Sequence, residues 1–304
     1  MTAVDTALRA RTTAVTAATP VAETTKYKKP HIYETIEEPT LLRELLLDDI
    51  YVLGGQFAIL CQWAHPGLAI GTYKRSNFAS RVANRLKTTL RFMNAAVYGT
   101  REQQEAIFSV VHRYHAPVRG ENYDANDPEL HKWTAATLFV AFVVIHDLVF
   151  GPLPRAAQER LFKQSAVYGT SLRMPAEMWP ETLDDFWAYW DHNIATLKVT
   201  DEARSLARDL LWPVNLPLGL TALSPLARLV TANVLPERLA REYELEPSAA
   251  SRALFGTVAY GMATVYPMLP LSIRQSKHAG SMGDLERAVQ RIKETGHWVG
   301  TPTA

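Results

Sequence analysis

Apolar residues recur at three- and four-residue steps along most of this chain, and strict alternation is almost absent. The pattern predicts helices divided by short breaks. Leu41, Leu42, Leu45, Leu46 and Leu47 form the first stripe. Gly54-Gly55 reads as a turn before a buried helix over 57–63, which ends near His65-Pro66. Over 79–98, Arg and Lys alternate with Ala, Val, Leu and Phe as in a long amphipathic helix. Gly99 breaks it, and Thr100 is placed to cap a helix over 101–115, with Glu102 and Gln103 in its first turn. Pro117 ends or kinks that helix, and Gly120 is expected to serve as its stop. Asp127-Pro128 opens the next, with Asp as cap and Pro at the first helical position. The most apolar run, 137–149, is interrupted by His146 and Asp147. It falls short of the ~20 apolar residues of a membrane span, so a buried core helix is expected.

Downstream, 154–168, 182–197, 201–211, 225–230, 236–242 and 248–265 read as helices, each opened by Pro, Ser, Thr or Asp. No repeat period is evident. The first break that resembles a linker is 275–283. The expected organisation is therefore a single large all-α domain over 31–275, with a disordered Ala- and Thr-rich lead-in over 1–30. A flexible C-terminal segment, 276–304, would carry a short helix over 284–295.

Composition narrows the classes. At 304 residues and 47% hydrophobic, the chain can bury a substantial core. A net charge of +1 gives no global field for nucleic acid, and the short basic clusters read as solvated faces. Neither a nucleic-acid partner nor stable membrane insertion is expected. The single cysteine, Cys61, excludes an intramolecular disulfide, cysteine-based zinc sites and iron–sulfur clusters. It suits a reducing compartment, and the lead-in lacks the apolar core of a secretory signal, so a soluble cytoplasmic protein is expected.

Candidate chemistry gathers over 112–138. No phosphate-binding loop, dinucleotide fingerprint or nucleophilic serine elbow is present. His112 and His115 stand one helical turn apart, and Arg119 follows four residues later. Two imidazoles at this spacing can face one metal ion, but a dimetal bundle site wants Glu-x-x-His pairs on facing helices. The Glu294–His297 pair spans Gly296 and reads as a helix end. A single axial imidazole suffices for haem, because the porphyrin supplies four donors. Arg85 and Thr89 share one face of the long basic helix, and their ordinary reading is a surface charge and a plain helical residue. Asp127 is first of all a cap. The residues alone leave three readings open: a haem protein, a non-haem iron site on His112 and His115, and a cofactor-free helical interaction protein.

Several ordered motifs sharpen this. They are Arg85-Leu-Lys-Thr-Thr89, Val97-Tyr-Gly-Thr100, His115-Ala-Pro-Val-Arg119-Gly120, Tyr123-Asp-Ala-Asn-Asp-Pro-Glu-Leu130 and Trp133-Thr-Ala-Ala-Thr-Leu138. Gln62-Trp-Ala-His65-Pro66 precedes them, and Leu172-Arg-Met-Pro175 and Leu235-Pro236 follow. Over roughly 50–275 the chain resembles the MpaB-type oxygenases, distant relatives of the latex-clearing rubber oxygenases. The resemblance implies an all-helical domain enclosing one haem b, with His115 as the proximal ligand of the iron. It implies Arg119 beside a propionate or in the ligand's surroundings, and Arg85 and Thr89 on the distal face. It implies dioxygen as co-substrate and a small hydrophobic, unsaturated, isoprenoid-like substrate, with cleavage of a carbon–carbon double bond as the chemistry. Two departures stand out. Ala135 occupies a position where many relatives carry histidine, which favours a haem-binding protein without oxygenase turnover as the alternative. Lys87 lies about 200° around the helix from Arg85, so the distal lysine of the latex enzymes is not carried over.

Overall fold

The computed structural model describes residues 35–75, 78–121, 123–213 and 218–298. The lead-in expected over 1–30 lies outside them. Among the described residues the architecture is all-helical apart from one two-stranded hairpin. Helix α1 (Thr40–Leu47) leads through a 3-10 turn (Asp49–Gly54) into α2 (Gly55–Trp63) and α3 (Pro66–Arg75). The long α4 (Phe78–Tyr98) and α5 (Arg101–His115) follow, then β1 (Arg119–Gly120) paired antiparallel with β2 (Tyr123–Asp124).

Helix α6 (Pro128–Phe150) is the hub of the fold. Its start is the one expected: Asp127 accepts from the Glu129 N–H at 2.9 Å, and Pro128 takes the first turn. It is buried on every face from Trp133 to Ile145, apart from half-buried Thr134. It is long and apolar enough to cross a membrane, but most of that length is packed inside the protein. The 3-10 turn, α2, α7 (Arg155–Ser165) and α8 (Val167–Thr170) pack around it. Trp133 anchors its first half, stacked on Trp190 at 5.1 Å and donating from Nε1 to the Cys61 carbonyl at 3.0 Å. The Cys61 thiol is buried, and burial raises its pKa, as an inert core cysteine requires.

The remaining helices are α9 (Leu183–Thr196), α10 (Asp201–Leu211), α11 (Leu218–Val234), α12 (Glu237–Glu242), α13 (Ala249–Val265), α14 (Leu271–Arg274) and α15 (His278–Thr295). Thr100, Thr182, Thr200 and Ser248 cap their helices through side-chain oxygens, and Thr100 closes a capping box with Gln103.

Four local expectations are corrected. Gly54-Gly55 is no free turn. Both residues are helical, and a Cβ on Gly54 would stand 3.1 Å from Ile145 and 3.2 Å from Ala141, so the glycine serves close packing on α6. Gly120 is not a helix stop but a hairpin residue, where a Cβ would meet the Tyr123 ring at 2.5 Å. Pro225 does not open a helix. It lies inside α11, which core packing of Val230 and Val234 holds together despite the lost donor. Most of 275–283, read as a joint, is helical, because α15 begins at His278 and lies along α4 and α5. Arg91, only 6% exposed, ties it down by two bonds of 3.0 and 2.9 Å to Asp284.

Candidate functional site

Helix α5 delivers His115 at its last residue, and Pro117 prevents it from running on. The hairpin then turns the chain back. The Ala125 N–H donates to the Val118 carbonyl at 2.9 Å, which fixes the Ala125 carbonyl between two imidazoles. His131, in the first turns of α6 and 3% exposed, sets its Nε2 at 2.9 Å from that oxygen. Its ring lies 6.1 Å from the His115 ring. Nδ1 of His115 closes no hydrogen bond, yet the Ala125 carbonyl is near enough to favour the protonated ring slightly. Burial opposes this and wins. It pushes the His115 pKa down to about 3, helped by His131, Arg85 and His112, and that of His131 down to about 4. Both rings are therefore neutral near pH 7, and His115 retains a lone pair for a Lewis acid.

His112 goes elsewhere. Its Nε2 lies 2.9 Å from the Arg173 guanidinium, which assigns the proton to Nδ1, on the side of Asn126. Burial and then Arg173 lower its pKa. The two histidines one turn apart thus do not converge on one ion. Among the described residues no group of three His, Cys, Asp or Glu side chains could hold a metal. Arg173 is held in place by backbone geometry. Its φ is 71°, in the left-handed region that non-glycine residues adopt at a cost of about 1 kcal/mol. The Gly169 carbonyl accepts from Met174 at 3.1 Å, and a Cβ on Gly169 would strike the Met174 sulfur at 2.7 Å.

Arg85 and Thr89 lie one turn apart on α4. Arg85 keeps ample accessible surface although protein surrounds it closely enough to lower its pKa, with Arg81 adding to the effect. Its charge bears on His115, so α4 brings it toward the end of α5. Lys87 points the other way and pairs with Asp284 at 2.9 Å. Arg119 stands exposed on β1, with Nε donating to the Ala116 carbonyl at 2.9 Å, and is not among the groups acting on His115. Ala135 is wholly buried one turn beyond His131.

The structure thus brings Arg85 and His115 together and leaves Arg119 at the rim. Sequence reasoning missed His131 and the role of Arg173. His131 follows Asp127 by one helical turn, but its burial comes from the enclosure of α6 on every side, which helical spacing does not reveal. Arg173 was visible only as part of a motif.

A family model described as the ER-bound oxygenase mpaB/B'/Rubber oxygenase catalytic domain matches residues 43–265. The chain belongs to this oxygenase family. Every site residue named above lies within the matched span, whereas α15 lies beyond it. Two curated relatives, uncharacterized proteins of Mycobacterium bovis and Mycobacterium tuberculosis, are each 28% identical over 207 residues, covering 65% of this chain and 81% of theirs. No solved structure matches.

Proposed function

We propose that this mpaB/rubber-oxygenase family member is a haem b-dependent oxygenase that uses dioxygen to cleave a carbon–carbon double bond in a small hydrophobic, isoprenoid-like substrate. The observation that carries this reading is His115: a neutral, half-buried imidazole at a helix end, with Arg85 bearing on it from the facing helix. These residues fit the group. A porphyrin brings four of its own donors, so one neutral imidazole completes the set, and no cluster of protein ligands is needed. His115 would hold the iron, and Arg119, exposed on β1, would be available to a propionate. Bound haem supplies dioxygen activation.

The chain's own residues do the rest. The Ala125 carbonyl favours the protonated His115 ring slightly, and a proton held on that side would raise the basicity of the other nitrogen. Arg173 holds His112 in one tautomer beside it. Arg85, desolvated, would donate to negative charge that develops beside His115, with the Thr89 hydroxyl one turn along the same helix as a second polar group.

An absorption spectrum tests the reading. The purified protein should show a Soret band and a b-type pyridine haemochrome. His115→Ala should lose haem, while Arg119→Ala should retain most of it. Haem content and axial signature unchanged in His115→Ala would overturn the assignment, and a protein left colourless after added hemin would favour a cofactor-free helical protein. Ala135 favours one alternative, a haem protein without turnover, because it offers no group to give or take a proton there. Oxygen consumption with isoprenoid alkenes separates the two.

A further inference from the structure

We propose that the cleft between α4 and α15 binds a phosphate dianion, either the free ion or the head of a small monoester. The cleft has a volume of about 260 Å³. Two helical stripes line it. Lys87, Arg91 and Asn94 follow at four- and three-residue steps on α4, and Ser281, Asp284 and Arg287 at three-residue steps on α15. Arg85 and Thr89 lie on the opposite side of α4, so the cleft is separate from the site at His115. Helix α15 also lies beyond the residues that the family model matches, so the family's chemistry does not account for the cleft.

Charge selects an anion. Three cations stand around one carboxylate. Asp284 pairs with Lys87 at 2.9 Å and accepts from Arg91 at 3.0 and 2.9 Å. Arg287 is exposed and pairs with no acid among the described residues. Three cations against one carboxylate leave an excess of two positive charges, which a dianion would balance. No side chain caps the start of α15, and its first turn carries no acid, so the positive end of the helix dipole is free to add to this field.

Buried donors without acceptors mark the place. Asn94 is only 4% exposed, yet its side-chain amide closes no hydrogen bond among the described residues. Buried polar groups rarely stay without a partner. Arg91, 6% exposed, gives Nε and Nη2 to Asp284 and keeps Nη1 buried without an acceptor. The Trp298 ring lies 5.4 Å from this guanidinium and holds it in place. The Ser281 hydroxyl, in the first turn of α15, is also unpartnered among the described residues. Guanidinium, ammonium, amide and hydroxyl groups can all donate, and the one carboxylate is already taken up by Lys87 and Arg91. A tetrahedral dianion can accept from several such donors at once, whereas a carboxylate ligand brings two oxygens and a single charge.

The experiment is equilibrium dialysis of the full-length protein against radiolabelled inorganic phosphate in a chloride buffer. Binding should saturate at one ion per chain. Asn94→Leu should weaken it about tenfold. Arg287→Gln should weaken it about fivefold. Because Arg287 is exposed and unpaired, its variant should keep the wild-type melting midpoint, and it decides the matter if Asn94→Leu fails to fold. Methyl phosphate used as a competitor identifies the source: tighter binding than the free ion assigns a monoester, and weaker binding assigns the ion. No saturable binding, an affinity unchanged in Arg287→Gln, or displacement of phosphate by an equal concentration of acetate would overturn the proposal. Neither the cleft nor its test involves haem, so the outcome is independent of the oxygenase reading.

Discussion

Helices α6 and α13 are both apolar along their length, yet they occupy opposite environments. Helix α6 is enclosed by the 3-10 turn, α2, α7, α8 and α13, whereas α13 turns most of its surface outward. Transfer from water favours burial of either one. What differs is the surroundings: the rest of the chain encloses α6 and leaves most of α13 exposed. Apolar composition states a preference for leaving water, and the tertiary structure decides what replaces the water.

The contrast can be broken by charge. Ile145→Asp on α6, at a position without accessible surface, should cost about 4 kcal/mol or more and leave little folded protein, read by urea denaturation. Leu254→Asp on α13 should change stability by less than about 0.5 kcal/mol in the same assay. Equal losses would mean that α13 is buried in solution.

Of the two helices acid acts on α6, because His131 lies on it beside His115 at the end of α5, whereas α13 has no histidine or carboxylate. Folded pKa values of about 3 for His115 and about 4 for His131 lie below the ordinary 6.5. Between these values the unfolded chain binds more protons. Stability of the haem-free protein is therefore complete above about pH 6.5 and falls as pH drops toward 4, by up to about 1.4 kcal/mol per pH unit for each histidine. His131→Gln should roughly halve that slope in melts run across the range, and an unchanged slope would remove His131 from the argument.

A single methyl group sharpens the contrast further. Gly54→Ala drives a Cβ against Ile145 and Ala141 and should cost about 1–3 kcal/mol. Gly256→Ala on α13 meets nothing within 4 Å and should stabilise the helix by about 0.5–1 kcal/mol. Calorimetric midpoints should move in opposite directions.

Much of the fold was legible because its signals are local. The caps at Thr100, Asp127 and Thr182 satisfy donors within three residues, so their positions in the chain suffice. Gly54 and Pro225 misled for the opposite reason. Gly54 is small because Ile145 approaches it from ninety residues away, and Pro225 is tolerated because distant packing holds α11. In the site, Arg85, Thr89 and His115 were marked by motif. That His112 serves Arg173 and not a metal depends on a contact across sixty-one residues, which spacing along one helix cannot reveal.

The sequence by itself determined the helical class, most helix starts, the inert Cys61 and the family, because periodicity, capping and ordered motifs are properties of neighbouring residues. Only the tertiary structure decided that His131 takes the Ala125 carbonyl beside His115, that Arg85 bears on His115 while Lys87 is paired with Asp284, and that α15 belongs to the packed body. Desolvation and charge–charge coupling arise from groups far apart in the chain, and they exist only once the fold has brought those groups together.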